Sequence, residues 1–194
     1  MKFKIFKFKS VTSTNDVALN LIQEKKKEIG CVYADIQTNG RGAHGKKWIS
    51  DEGNLFGTLF FQLKNNYPAF SEFSTINPVI LSNVIENYCE KKNISFKWPN
   101  DVLVNGRKIC GILQEIITSN SKKFLIIGIG INIISHPNIN SEHQATNIFL
   151  ETKIKPSIKE VINKIIFSYE NFFLNLKSYN YLNFKEKAEL MSIN

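Results

Sequence analysis

Three cysteines are all that this 194-residue chain carries, and Cys31, Cys89 and Cys110 lie far apart with no C-x-x-C pair. That excludes a disulfide framework and a thiolate zinc site, and it suits a reducing compartment. Histidine is equally scarce: His44, His136 and His143 have no metal-ligand spacing, so no metal site is expected. Long apolar runs are missing, and with them any membrane-spanning segment. The N-terminus lacks the apolar stretch of a signal peptide; Met1 to Lys9 alternates lysine with apolar residues and reads as a strand. A soluble, cytoplasmic protein is expected. No repeat, linker or low-complexity segment breaks the chain, so residues 1–194 read as a single domain. Acidic residues are outnumbered, 17 against 25 basic ones, for a formal net charge of +8. A basic surface can serve an acidic partner, a small anion or nucleic acid. Runs such as Lys25–Lys27 and Lys122–Lys123 instead have the look of solvated faces.

Strand and helix signals are intermixed. Strands are predicted over Phe3–Phe8, Cys31–Ile36, Leu55–Leu63, Ile94–Trp98, Val102–Val104, Ile109–Ile117 and Phe124–Ile133. Asn105-Gly106 is a strong hairpin signal, and Ser119-Asn120-Ser121 marks a second turn. Ser13, Thr14 and Asn15 are cap-type residues, predicting a helix from Thr14 to about Glu28. A second helix is expected over Ile76–Lys91, with Pro78 tolerable in its first turn. From Ile158 an apolar stripe through Val161, Ile162, Ile165, Ile166 and Tyr169 predicts a third, core-facing helix. Thr38–Lys47 and Ser135–Asn147 are expected loops. The pattern is α+β: a mixed, largely antiparallel sheet with helices packed on one face.

Four stretches could carry chemistry. Gln37 to Trp48 reads Q-T-N-G-R-G-A-H-G-K-K-W. Its glycines free the backbone to turn amides into one concavity, and Arg41, Lys46 and Lys47 add positive charge, a combination suited to phosphate or carboxylate. It nearly matches a P-loop, but Lys47 stands where the magnesium-binding hydroxyl belongs and a strand follows instead of a helix. Lys97 to Asp101 reads K-W-P-N-D, and Arg107 to Glu115 reads R-K-I-C-G-I-L-Q-E; the hairpin between them should bring Asp101 and Lys108 together. Ile126 to Asn132 holds a lone G-x-G, which reads as a buried strand with a close backbone approach. Ser13-Thr14-Asn15 heads the first helix.

In this order the pieces resemble the catalytic domain of biotin–protein ligases, whose motifs run S-T-N, Q-x-x-G-R-G-R-x-G-R-x-W, K-W-P-N-D, R-K-x-x-G-I-L-x-E and G-x-G-I-N. The match spans roughly Ser13 to Glu151, with Ala145-Thr146-Asn147 similar to the family's A-T-S. The resemblance implies the fold shared by class II aminoacyl-tRNA synthetases and biotin ligases. It also implies a two-step reaction: biotin and ATP give biotinyl-5′-AMP, and the biotinyl group then passes to a lysine of a biotin carboxyl carrier protein, as in acetyl-CoA carboxylase. Magnesium is implied by ATP.

Carried over by position, Lys108, Arg41 and Asp101 are the catalytic candidates. Ser13, Thr14, Asn15, Gln37, Gly40, Arg41, Gly42, Lys108 and Gly111 are the biotin-binding candidates, with Gly111 leaving room for biotin. Arg41, Lys46, Trp48, Asn100, Lys108 and Asn132 are the nucleotide-binding candidates. The family's second loop arginine is Ala43 here and its third is Lys46. Twelve residues precede Ser13, so neither a DNA-binding domain nor DNA binding is expected; nor is the small C-terminal β-barrel that many relatives carry. Relatives occur as monomers and homodimers. Two alternatives stay open: a lipoate or octanoate ligase of the same superfamily, and a biotin-binding module with weakened catalysis.

Overall fold

A computed structural model describes residues 1–138 and 144–193. His143 and part of the expected loop at Ser135–Asn147 lie outside the described residues. Among the described residues there are seven strands: β1 (Ile5–Val11), β2 (Ile29–Gln37), β3 (Leu55–Gln62), β4 (Ile94–Lys97), β5 (Asp101–Val104), β6 (Arg107–Ser119) and β7 (Lys122–Ile131). They form one sheet in the order β1-β2-β3-β7-β6-β5-β4. Among the described strands β1 and β2 are the one parallel pair, which requires a crossover, and α1 (Thr14–Gln23) supplies it. Every other pair in that order is antiparallel. Both hairpin turns use left-handed residues, Asn105 and Gly106 in one, Asn120 and Ser121 in the other.

Helices α2 (Phe73–Ile85), α4 (Ile158–Leu174) and α5 (Tyr181–Met191) join the main core on one face of the sheet, while α3 (Ile148–Thr152) follows the chain out of β7. The expectation of helices on one face needs a correction. Helix α1 lies on the opposite face, where Ala18 and Ile22 pack on Val32, Phe60, Phe124 and Ile126. The central strands β3 and β7 are therefore covered on both faces, and their continuous apolar runs follow from that. Phe61 is the hub of the main core. Its ring lies 4.8 to 6.3 Å from the rings of Phe173, Phe73, Phe3 and Tyr67.

Helix α1 ends at Gln23 rather than Glu28, because Lys25–Lys27 offers no apolar side chain to bury and Lys26 turns left-handed. Helix α2 begins a turn earlier than expected, which leaves Pro78 inside it; the burial of Phe73, Thr75 and Ile76 outweighs one missing backbone bond. The three cysteines are buried and unpaired. Burial pushes the Cys31 thiol up to about 12 and Cys89 to about 11, with Cys110 also raised. A thiol reagent at pH 8 should therefore label the native protein about a hundredfold more slowly than a free thiol, and label all three cysteines once denaturant is added. Fast labelling of the native chain would contradict this packing.

Candidate active site

The first helix turn, the Gln37–Trp48 loop and the ends of β5, β6 and β7 converge on two adjoining clefts. The inner one is narrow and is lined by Ser13, Thr14, Asn15, Gln37, Arg41 and Gly128 among others. The outer one is wider and is lined by Lys46, Lys97, Asp101, Asn132 and Ala145 among others. Trp48, Asn100, Lys108, Gly42 and Ala43 line both. Gly111 lines the inner cleft. Gly40 lines neither; a Cβ there would lie 2.5 Å from the Trp48 carbonyl oxygen, so it serves the close approach of two backbones.

The start of α1 is not capped in the way its composition suggests. Ser13 holds the cap position with extended backbone, yet its side chain makes no cap hydrogen bond. Gln37 Oε1 takes that part, accepting from the Thr14 amide at 2.8 Å and the Thr14 hydroxyl at 3.0 Å. Gln37 Nε2 donates to Ser50 Oγ, which donates to the Trp48 carbonyl. One glutamine thus joins the helix N-terminus to the far end of the loop. Thr58, buried in the middle of β3, donates to Asn15 Oδ1 at 2.6 Å and lies 2.8 Å from Thr14 Oγ1. Gly128 makes room for Asn15, since a Cβ there would meet Asn15 Oδ1 at 2.4 Å.

The loop folds back on itself. The Trp48 amide donates to the Gly40 carbonyl, the Gly42 amide to the Lys46 carbonyl, and Arg41 bridges Lys47, leaving Ala43–Gly45 as the tip. His44 and Gly45 turn left-handed there. Arg41 reaches back under the loop: Nη1 meets Glu115 Oε1 at 2.8 Å, and Nη2 meets Glu115 Oε2 at 3.0 Å and Asp16 Oδ1 at 2.9 Å. Those hydrogen bonds donated to Glu115, with the charges of Glu115 and Asp16, push the Arg41 guanidinium further up, so it stays charged.

At the divide between the clefts, Lys108 Nζ lies 2.7 Å from Asp101 Oδ1 and 5.3 Å from the centre of the Trp48 ring. The expected pairing of Asp101 and Lys108 across the hairpin is present. The room in front of Gly111 is filled differently from the expectation. A Cβ on Gly111 or Gly130 would lie 2.4 or 2.3 Å from the Trp48 indole, so both glycines seat that ring. Asn132 lines the outer cleft, but its Nδ2 donates to the Thr146 carbonyl. Asn100 Nδ2 donates to the Ile112 carbonyl. The Lys108 backbone is held by the 144–146 segment, through its amide to the Gln144 carbonyl and its carbonyl from the Thr146 amide. That segment is fixed in turn by Glu151, which accepts from Thr146 Oγ1, Arg107 and Asn105.

Thr58, Asp16, Asn54 and Glu151 were not singled out from the sequence as site residues. Thr58 had a signal, a lone hydroxyl in the Phe-rich run of β3. Asn54 had none; its Oδ1 accepts the amides of Ile133, Ile134 and Ser135 and so fixes the chain leaving β7.

Residues 7–132 match the model of the biotin/lipoate A/B protein ligase family. The chain belongs to this family. As a biotin/lipoate A/B protein ligase family member it resembles the bifunctional ligase/repressor BirA of Escherichia coli (strain K12), with 34% identity over 125 residues, which are 63% of this chain and 38% of that protein. It is likewise 34% identical over 109 residues to the biotin–[acetyl-CoA-carboxylase] ligase of Paracoccus denitrificans, covering 55% of this chain and 45% of that one. The chain spans less than half the length of these two relatives. The biotin protein ligase of Aquifex aeolicus in complex with biotin and ATP superposes with a TM-score of 0.80 at 29% identity, covering 98% of this chain and 78% of that one.

Proposed function

We propose that this chain activates biotin with ATP to biotinyl-5′-AMP and passes the biotinyl group to a lysine of a biotin carboxyl carrier protein. The observation that carries this reading is Lys108, paired with Asp101, at the junction of a small inner cleft and a larger outer one. Biotin would occupy the inner cleft against Ser13, Thr14, Asn15 and Gln37. The nucleotide would occupy the outer one near Lys46, Asn100 and Asn132, with Trp48 between them.

Both reactants of the first step are anions. A biotin carboxylate oxygen attacks the α-phosphorus, the bond to the bridging oxygen breaks, and pyrophosphate leaves. An ammonium at the junction lowers the repulsion between the two anions and stabilises charge on the α-phosphate, and Asp101 keeps it there. In the second step a carrier amine attacks the acyl carbon and AMP leaves. That amine, with an ordinary pKa of about 10.4, must lose a proton, and Asp101 is the nearby carboxylate. Among the described residues no group of three or more His, Cys, Asp or Glu side chains could hold a metal ion; magnesium would arrive with the triphosphate.

Pyrophosphate exchange into ATP tests the reading. Exchange that depends on biotin supports it. Exchange that depends on lipoate would replace it with the lipoate ligase alternative, and binding of biotin without exchange would replace it with a binding module. Ala43 at the loop tip adds a prediction. A guanidinium lost from a charge-assisted contact is worth roughly 1.5–3 kcal/mol. Ala43→Arg should therefore slow release of biotinyl-adenylate by about 10-fold to 150-fold, measured by trapping the released intermediate; an unchanged off-rate refutes it.

A further inference from the structure

Arg41 lines the inner cleft, yet both of its terminal nitrogens are taken. Glu115 receives the fork in two bonds and Asp16 receives a third. Glu115 also accepts from Asn15 Nδ2 at 2.6 Å, so the same carboxylate ties the loop arginine to the first turn of α1. One cation facing two carboxylates leaves this triad with a net charge of −1, an unfavourable target for an incoming anion. Arg41 Nε is buried and has no hydrogen-bond partner, which makes it the donor left for a group in the cleft.

We propose that Glu115 and Asp16 are positioning residues, and that through Arg41 they latch the Gln37–Trp48 loop down over the inner cleft. The latch joins three elements: the loop by Arg41, β6 by Glu115 and α1 by Asp16. Acyl substrate enters and leaves when these bonds open. Neither carboxylate lines either cleft, so they act on substrate retention and leave the chemical step alone. The two contributions differ in strength. The fork to Glu115 is bidentate, whereas the bond to Asp16 joins side chains that are each more than a third exposed.

The inference rests on the reading of the inner cleft as the biotin pocket, so its test has one arm without substrate. Hydrogen exchange of the Gly42, Lys46 and Trp48 amides is followed in the full chain and in Glu115→Gln and Asp16→Asn. Loop exchange should rise about tenfold or more in Glu115→Gln and about threefold in Asp16→Asn. In the second arm, KM for biotin in pyrophosphate exchange should rise by similar factors, with kcat within twofold. Both effects should vanish in an Arg41→Ala background, where there is no latch to weaken. Unchanged loop exchange overturns the latch. Raised loop exchange with an unmoved KM, or a KM effect that persists in Arg41→Ala, overturns the positioning role. A wild-type chain that shows no biotin-dependent exchange refutes the functional reading instead, and the amide arm still decides the latch.

Discussion

Lys108→Ala should reduce biotin-dependent pyrophosphate exchange by about 10²-fold to 10³-fold, the size of effect seen when one preorganised charge-stabilising donor is removed. Lys108 stands where the two clefts meet, its backbone is pinned by Gln144 and Thr146, and its ammonium is held by Asp101. A mobile lysine would be a weak catalyst here, because both of its partners would have to wait for it to arrive. Lys108→Arg should recover only part of the loss, since a planar fork does not reproduce a compact ammonium beside the Trp48 ring. The control is thermal unfolding. Lys108 is part-exposed, so the variants should melt within a few degrees of the parent. Exchange that stays within tenfold in Lys108→Ala would remove Lys108 from the chemistry.

Phe61→Ala should cost about 3–5 kcal/mol of stability, the range for deleting a buried phenylalanine ring. Phe61 is fully buried and its ring contacts link the segment before β1, the loop after β3, α2 and α4. Little can collapse into the gap, because the neighbouring rings are themselves fixed by Tyr179 and Phe184 through Phe172. For a chain of this length the melting temperature should fall by about 6–20 °C. Urea unfolding measures the change directly. A loss under about 1 kcal/mol would refute the view of Phe61 as the hub.

The strands were legible from the sequence because they alternate or run apolar, and both hairpins were legible because Asn105-Gly106 and Asn120-Ser121 supply residues that tolerate left-handed backbone. The face on which α1 packs was not legible. Strands β3 and β7 are apolar on both sides, so their pattern says that two layers cover them without saying which helix supplies which layer. Helix α5 was missed because Ala188 is its one fully buried residue. At the site, Lys108 with Asp101 followed from a two-residue turn. The cap on α1 did not, because its acceptor is Gln37, 23 positions away. The Arg41 latch was hidden for the same reason: Glu115 lies 74 positions on and Asp16 carries no motif of its own.

Strand β1 closes one end of the sheet, and among the described residues one of its sides meets no other strand there. Ile5 and Phe8 are exposed on it. An open edge with apolar side chains is a template on which a second copy can add a strand and begin to aggregate. Lys4 and Lys9 stand along this segment with Lys2 and Lys7, which pair with Glu170 and Asp35, so two copies meeting edge to edge would bring lysine rows together. The protection is Coulombic and therefore short in salt, reaching about 8 Å at physiological ionic strength and about 3 Å at 1 M. The protein should stay dispersed in dilute buffer and self-associate as salt is raised, the reverse of what an edge guarded by proline or a bulge would do.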